Sequence, residues 1–409
     1  MQISLRGLSI ASNRYVATIS GAQLIRILGR SQAWIFIPVY LADVRHVQYV
    51  VIGILFFGTA MLSLPFSIYG GNLLDRLGRR FAAKYLSPVI MILMLALAFS
   101  VYLKAPLYAI YAAFLLVEPF TSIQGILDNV VITDTTQEAE RTSAFSAVRI
   151  AGNIGFSLGP AIGGFISQIS YFYVFLVPAA LTGLEWILYL KYITETRPAG
   201  GNGGKKISFP WSDRNFIILS LLVASMWFVA GQWGTTLTLF WTNVDRIPNS
   251  LIGILYSVNG IVVVFLQMPT NWALARMRDF NRIALGGVVY SVSFLLLSFS
   301  SSFIFLIVDV VIITMGENII SPVAYSLIGK VAPPDRRGEY FGSFQLMMGL
   351  VTPLAPVIGT SLLERFSNTP ILMWLPIFTA GILLSLTVSR VGRAIMKGRR
   401  HAGEVTKIS

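Results

Sequence analysis

The chain is a nearly unbroken series of apolar runs, each about as long as a bilayer is thick. Twelve can be marked, at about 16–42, 47–70, 85–103, 106–132, 143–168, 171–193, 215–241, 250–271, 283–300, 303–327, 340–363 and 371–390. A helix of roughly 20 residues crosses the ~30 Å hydrocarbon core. Helices also satisfy their own backbone polar groups where no water can do so. The pattern therefore predicts an all-α integral membrane protein of twelve transmembrane helices. Charged residues make up only 12% of the chain and the mean hydropathy is +0.72, against about 25% charged in soluble domains. The longest polar stretch, about Glu195 to Arg214, is too short for a soluble domain.

The net charge of +13 does not point to nucleic acid, because the basic residues are spread between the apolar runs. They set orientation instead. With both termini in the cytoplasm, 24 of the 31 Lys and Arg residues fall inside. Four fall outside (Arg45, Lys104, Arg246, Arg365) and three within the membrane (Arg26, Arg30, Arg149). Met1 to Tyr15 lacks the uninterrupted apolar core of a signal peptide. Cysteine is absent, and His46 and His401 stand apart, so neither thiol chemistry nor a metal site is expected. There is no Gly-rich phosphate loop. The expectation is no enzyme activity, no cofactor and no metal, in a multi-pass plasma-membrane protein that works as a monomer on a small molecule. The basic tail, Arg390 to Lys407, would rest against anionic lipid.

The loop from Thr194 to Asp213 holds Gly200-Gly201-Asn202-Gly203-Gly204, the composition of a flexible linker. It divides the spans six and six: an N-terminal half at 1–193, a linker at 194–213 and a C-terminal half with its basic tail at 214–409. The halves read as repeats. Gly159-Pro160-Ala161-Ile162-Gly163-Gly164 in span 5 parallels Ala355-Pro356-Val357-Ile358-Gly359-Thr360 in span 11, 196 residues on.

Between spans 2 and 3 lies Gly71-Asn72-Leu73-Leu74-Asp75-Arg76-Leu77-Gly78-Arg79-Arg80. It reads as a tight basic turn, with Gly71 and Gly78 permitting the reversal. Gly71, Asp75, Arg76, Gly78, Arg79 and Arg80 match in full the signature of the major facilitator superfamily, which this chain resembles. The resemblance implies two six-helix bundles about a pseudo-axis, a cavity lined by spans 1, 4, 7 and 10, and a conformational latch at this loop. In the family the first Arg after the second glycine, here Arg79, pairs with an acid at the end of span 4, here Asp134. Arg149 in span 5 could pair with Asp128 or Asp134, or line the inner mouth of the cavity. The matching stretch of the second half, Asn271 to Arg278, keeps Arg276 but not the glycines or the acid.

Ionisable residues inside a membrane are costly and are functional candidates. Arg26 and Arg30 in span 1 are spaced i, i+4 and share a helix face. Arginine does not deprotonate, so each needs an anionic or polar partner. Arg26 reads as structural. Arg30 reads equally as half of a structural ion pair or as a substrate or coupling group. Glu118 in span 4 and Glu317 in span 10 sit mid-span on cavity-lining helices. Each is either a proton carrier or half of a permanent pair. Glu185 in span 6 and Asp309 near the outer end of span 10 rank below them. Gln232 and Trp233 of span 7 are candidate cavity residues.

In span 5, Gly155, Gly159 and Gly163 make a smooth face for close helix contact, and Pro160 bends the helix. Gly159, Pro160, Gly163 and Gly164 resemble the superfamily's antiporter motif, found mainly in proton-driven drug exporters. Span 4 departs from those exporters, since Thr121-Ser122-Ile123-Gln124-Gly125 lacks their Arg. The resemblance implies a secondary transporter working by alternating access, with proton-coupled export of amphipathic small molecules as the leading expectation. Uptake or exchange of a small organic anion is the alternative. A non-transporting sensor or enzyme on this scaffold is a distant third.

Overall fold

The computed structural model describes residues 13–196, 209–333 and 336–401. The glycine-rich part of the expected linker and the end of the basic tail lie outside the described residues. Twelve helical passes appear where the apolar runs predict them, and no strand occurs among the described residues. The first six are α1 (Arg14–Val39), α2 (Tyr49–Leu77), α3 (Arg79–Tyr102), α4 (Leu107–Thr135), α5 (Glu138–Ile169) and α6 (Tyr171–Tyr192). The seventh, α7, runs as Arg214–Ala230, a single 3₁₀ turn Gly231–Trp233, and Thr235–Asn243. Then come α8 (Asn249–Ala273), α9 (Asp279–Leu296), α10 (Phe303–Val331), α11 (Arg337–Val351 and Leu354–Phe366) and α12 (Pro370–His401).

Ten of these are long and apolar enough to cross a membrane by length and composition. The other two are α1, which carries Arg26 and Arg30, and α9, which has only 18 residues. The breaks have local causes. Pro353 separates the two parts of α11, where its missing N–H cannot continue the ladder. In α7 the chain unwinds at Gly231, where a Cβ would fall 2.7 Å from the Ala355 methyl.

The helices gather into two compact units. Unit 1 holds the chain up to Arg45, the stretch from Gly58 through α6, and Pro248–Gly260. Unit 2 holds His46–Phe57, α7 up to Ile247, and the chain from Ile261 onward. So the first turns of α2 pack in unit 2, and the first turns of α8 pack in unit 1.

Within unit 1 the small-residue face of α5 meets α1 as the spacing predicts. A Cβ on Gly155 would lie 2.6 Å from the Leu24 carbonyl oxygen, and one on Gly159 would overlap Ser31 and the Leu28 carbonyl. Gly163 packs on Gln32 and Phe36. The other edge of α5 receives α8. Gly164 abuts Asn249, Gly253 abuts the Pro160 carbonyl, and the Ser257 hydroxyl donates to the Ser157 carbonyl. Unit 2 repeats this contact: Gly53 lies against Pro356 and Thr360, and the Tyr49 N–H donates to Glu364 Oε2 at 2.7 Å. Its core is aromatic, with Trp374 stacked on Phe294 at 5.3 Å and edge-on to Phe240 at 5.2 Å.

Candidate functional site

Among the described residues of unit 1, the ion pairs sit in three places. The first is the junction of α2 and α3. The expected tight turn over Gly71–Arg80 is mostly helix: α2 continues to Leu77 and the reversal falls on Gly78 alone, with φ +89°. Gly71 lies within the helix, and a Cβ there would meet nothing within 4 Å. The extension is favoured by Arg76 at the negative end of the helix dipole.

Arg79, almost fully buried, donates from Nε to Asp134 Oδ2 at 3.0 Å and from a terminal nitrogen to Asp75 Oδ1 at 2.9 Å. The expected triad of Asp75, Arg79 and Asp134 is thus assembled. Glu195, just after α6, completes it. Its carboxylate accepts from the backbone N–H groups of Arg79 at 3.0 Å and Arg80 at 3.3 Å. The first N–H groups of a helix have no partner of their own and carry the positive end of its dipole, so a carboxylate is a natural cap. Sequence reasoning missed Glu195 by reading it as the start of the linker. The available signal was α3's lack of a capping side chain, since Gly78 can supply none. The side chains of Arg76 and Arg80 are exposed. Arg149 is exposed as well, and the two acids considered for it have other partners: Asp134 holds Arg79 and Asp128 holds Arg26.

The second place is midway along α1 and α4, where Arg30 is ion-paired with Glu118. Both side chains are partly open, at 36% and 27% of full exposure. The third place lies one helical turn along α1 and is closed. The Arg26 guanidinium donates to Glu185 Oε1 on α6 at 2.6 Å and to Tyr189 Oη at 3.3 Å. Its other terminal nitrogen donates to Asp128 Oδ2 on α4 and to Gln23 Oε1. Tyr189 in turn donates to Asp128 Oδ1. Arg26, Asp128, Glu185 and Tyr189 are all buried. Arg26 and Arg30 share a helix face and both pair with acids on α4, but only Arg26 also reaches α6.

In unit 2 the expected residues are distributed differently. Gln232 is fully buried against Gly359 and Thr236 rather than open to a cavity, while Trp233 is half-buried with its ring edge-on to Trp241 at 5.9 Å. Glu317 is partly buried on α10. Asp309, also on α10, is buried and accepts from the Ser293 hydroxyl at 2.6 Å. Between α9 and α10, Lys330 Nζ meets Asp279 Oδ2 at 2.7 Å.

Twelve helical passes in two units, ten of them long and apolar enough to cross a membrane, with ion pairs buried between helices, describe a multi-pass membrane protein. The chain belongs to the Major Facilitator Superfamily, whose model matches residues 19–295 and 246–404. It is accordingly a transporter rather than an enzyme. A tetracycline resistance protein, class C, from Escherichia coli is 23% identical over 88% of this chain and 92% of its own length. A Na(+), Li(+), K(+)/H(+) antiporter from Planococcus maritimus is 22% identical over 75% of this chain and 80% of its own length. Among solved structures, a peptide transporter POT in complex with sulfate superposes with a TM-score of 0.76, at 17% identity, covering 96% of this chain and 99% of that one.

Proposed function

We propose that this transporter is a proton-coupled antiporter that exports amphipathic small molecules across the plasma membrane, with both termini in the cytoplasm. The observation that carries this reading is the Arg30–Glu118 pair. It is a charge pair at mid-helix depth, open enough for a substrate or a proton to reach. The guanidinium stays charged at any working pH. A proton on Glu118, or a cationic substrate drawn to it, therefore releases Arg30, and the pair can switch between two states. The α5 packing motif and the names of the tetracycline and cation/proton relatives support export by exchange. The Asp75–Arg79–Asp134 junction would hold one conformation of the cycle. The anion-carrier reading drew on two arginines in α1. Both are matched by carboxylates, Arg30 by Glu118 and Arg26 by Asp128 and Glu185, so that motive falls away.

The test uses purified protein in liposomes with an acid interior and an internal pH dye. Adding tetracycline outside, as the probe, is expected to discharge the proton gradient through the wild type and not through Glu118→Gln. Equal discharge by both would remove Glu118 from coupling. Tetracycline uptake by the wild type that ignores the gradient would contradict proton coupling altogether.

A further inference from the structure

Glu185 and Asp128 are two carboxylates held by a single guanidinium in a closed interior. Asp128 is well supplied: Arg26 donates to one oxygen and Tyr189 to the other. Glu185 is not. Its Oε1 accepts from Arg26, while Oε2 is buried with no hydrogen-bond partner. With both acids ionised the cluster would carry a net negative charge in an apolar bundle, which is strongly disfavoured. One proton on Glu185 makes it neutral. The groups facing Glu185 are few. Helix α1 brings Arg26, α4 brings Asp128, and α6 itself brings Tyr189. On α3, Lys84 is exposed, with its ammonium 5.2 Å from the Tyr85 ring, and its carbonyl accepts from Trp186 on α6. Arg149 on α5 is exposed.

The molecule contains its own control. Two hundred residues on from Arg26 and Glu185 stand Met226 and Ser385, also buried and also in contact, with the Ser385 hydroxyl 3.9 Å from the Met226 sulfur. Asp128 has Ala324 as its counterpart 196 residues on, fully buried. Unit 2 thus packs the corresponding helices with no charge at these three positions. Joining these helices does not require the ionic cluster, and replacing a buried ionic triad with apolar groups is often neutral or stabilising. Its presence in unit 1 calls for another use.

We propose that Glu185, held by Arg26 beside Asp128 and Tyr189, is a proton-binding site of this transporter, separate from the open Arg30–Glu118 pair, and that its proton is exchanged during transport. The exchange rests on the proton-coupled reading above; the binding does not. The proton leaves Glu185 for water when the cluster opens and returns from water when it closes, with Arg26 then neutralising Asp128 alone.

Infrared spectra of the full-length protein in lipid nanodiscs, titrated with alkali, test the binding. Beside the band of Asp245, the wild type is expected to show a second protonated-carboxyl component that disappears at high pH and is missing in Glu185→Gln. A second component that persists unchanged in this variant would overturn the proposal. The volume-matched neutral triple variant R26M/D128N/E185Q guards against misfolding of the single variant and is expected to lack the same component. Tetracycline-driven proton flux in liposomes tests the exchange. Flux lost in Glu185→Gln while tetracycline counterflow continues supports it, and full flux in that variant overturns it. A wild type without flux but with this second component would refute proton-coupled transport and the exchange with it, and leave the binding site standing.

Discussion

Matching places in the two units carry opposite electrostatic content on the same packing. Where α3 meets α4 in unit 1, the cation is on α3 and the acid on α4, as Arg79 and Asp134 at 3.0 Å. The corresponding positions of unit 2, 200 and 196 residues on, are Asp279 and Lys330 at 2.7 Å. The pair is kept and its polarity is reversed. Deeper in, the places held by Arg26 and Glu185 in unit 1 are taken by Met226 and Ser385 in unit 2. Close backbone contact, by contrast, is shared: α5 glycines lie on Leu28 and Gln32, and Gly359 of α11 lies on Gln232 and Thr236. Small residues at helix crossings are what the repeated fold needs. The charges are additions that each unit treats separately.

The largest expected effect comes from splitting the ionic cluster. Arg26→Ala leaves two buried carboxylates without their cation and should cost about 3–5 kcal/mol, read as a steep fall in the thermal midpoint of the purified protein. The neutral triple variant should avoid that loss. Next is the latch. Asp134→Ala strips a nearly buried arginine of one of its two acids and should cost about 2–3 kcal/mol, whereas Lys330→Ala, in a more open pair, should cost at most about 1 kcal/mol. Equal losses in guanidinium chloride or thermal unfolding would show that the two pairs are equivalent after all.

The two motif glycines of unit 1 differ more modestly. Gly78→Ala forces a side chain into a left-handed backbone and against Glu195, at a cost of about 1–2 kcal/mol. Gly71→Ala, in open helix, should gain about 0.5–1 kcal/mol. One effect, in unit 2, depends on pH. Asp245, in the loop after α7, is half-buried, and desolvation pushes its carboxyl up to about 7. Its folded form thus favours the proton more than the unfolded chain does. The stability it contributes is complete below about pH 4 and lost as pH rises through 7. Asp245→Asn should match the wild type at pH 4 and unfold at a higher temperature at pH 8.

Much of this was legible in the sequence because it is local or tied to a motif. The twelve passes follow from run length, the Asp75–Arg79–Asp134 contact from the signature, and a close-contact face on α5, though not its partner α1, from glycines at fourfold spacing. Arg30, Glu118 and Glu317 were marked by their depth on helices that the resemblance makes cavity-lining, and the choice of Glu118 as the partner of Arg30 comes from the structure. Partner choice over long separations was not legible. Arg26 and Glu185 are 159 residues apart, and nothing in i, i+4 spacing says that the first arginine bridges α4 and α6 while the next pairs with α4 alone. The Asp279–Lys330 pair was hidden for another reason. Matching the halves by residue identity finds a lost motif at Asn271–Arg278, whereas an ion pair survives exchange of its two charges and is recovered only by matching complementarity.

The central claim is that unit 1 carries buried charge its fold does not require. The thermal unfolding midpoint of R26M/D128N/E185Q in lipid nanodiscs tests it directly. A midpoint equal to or above that of the wild type is the expected result. A fall as deep as that of Arg26→Ala would mean that the cluster is holding the helices together, and would contradict the account.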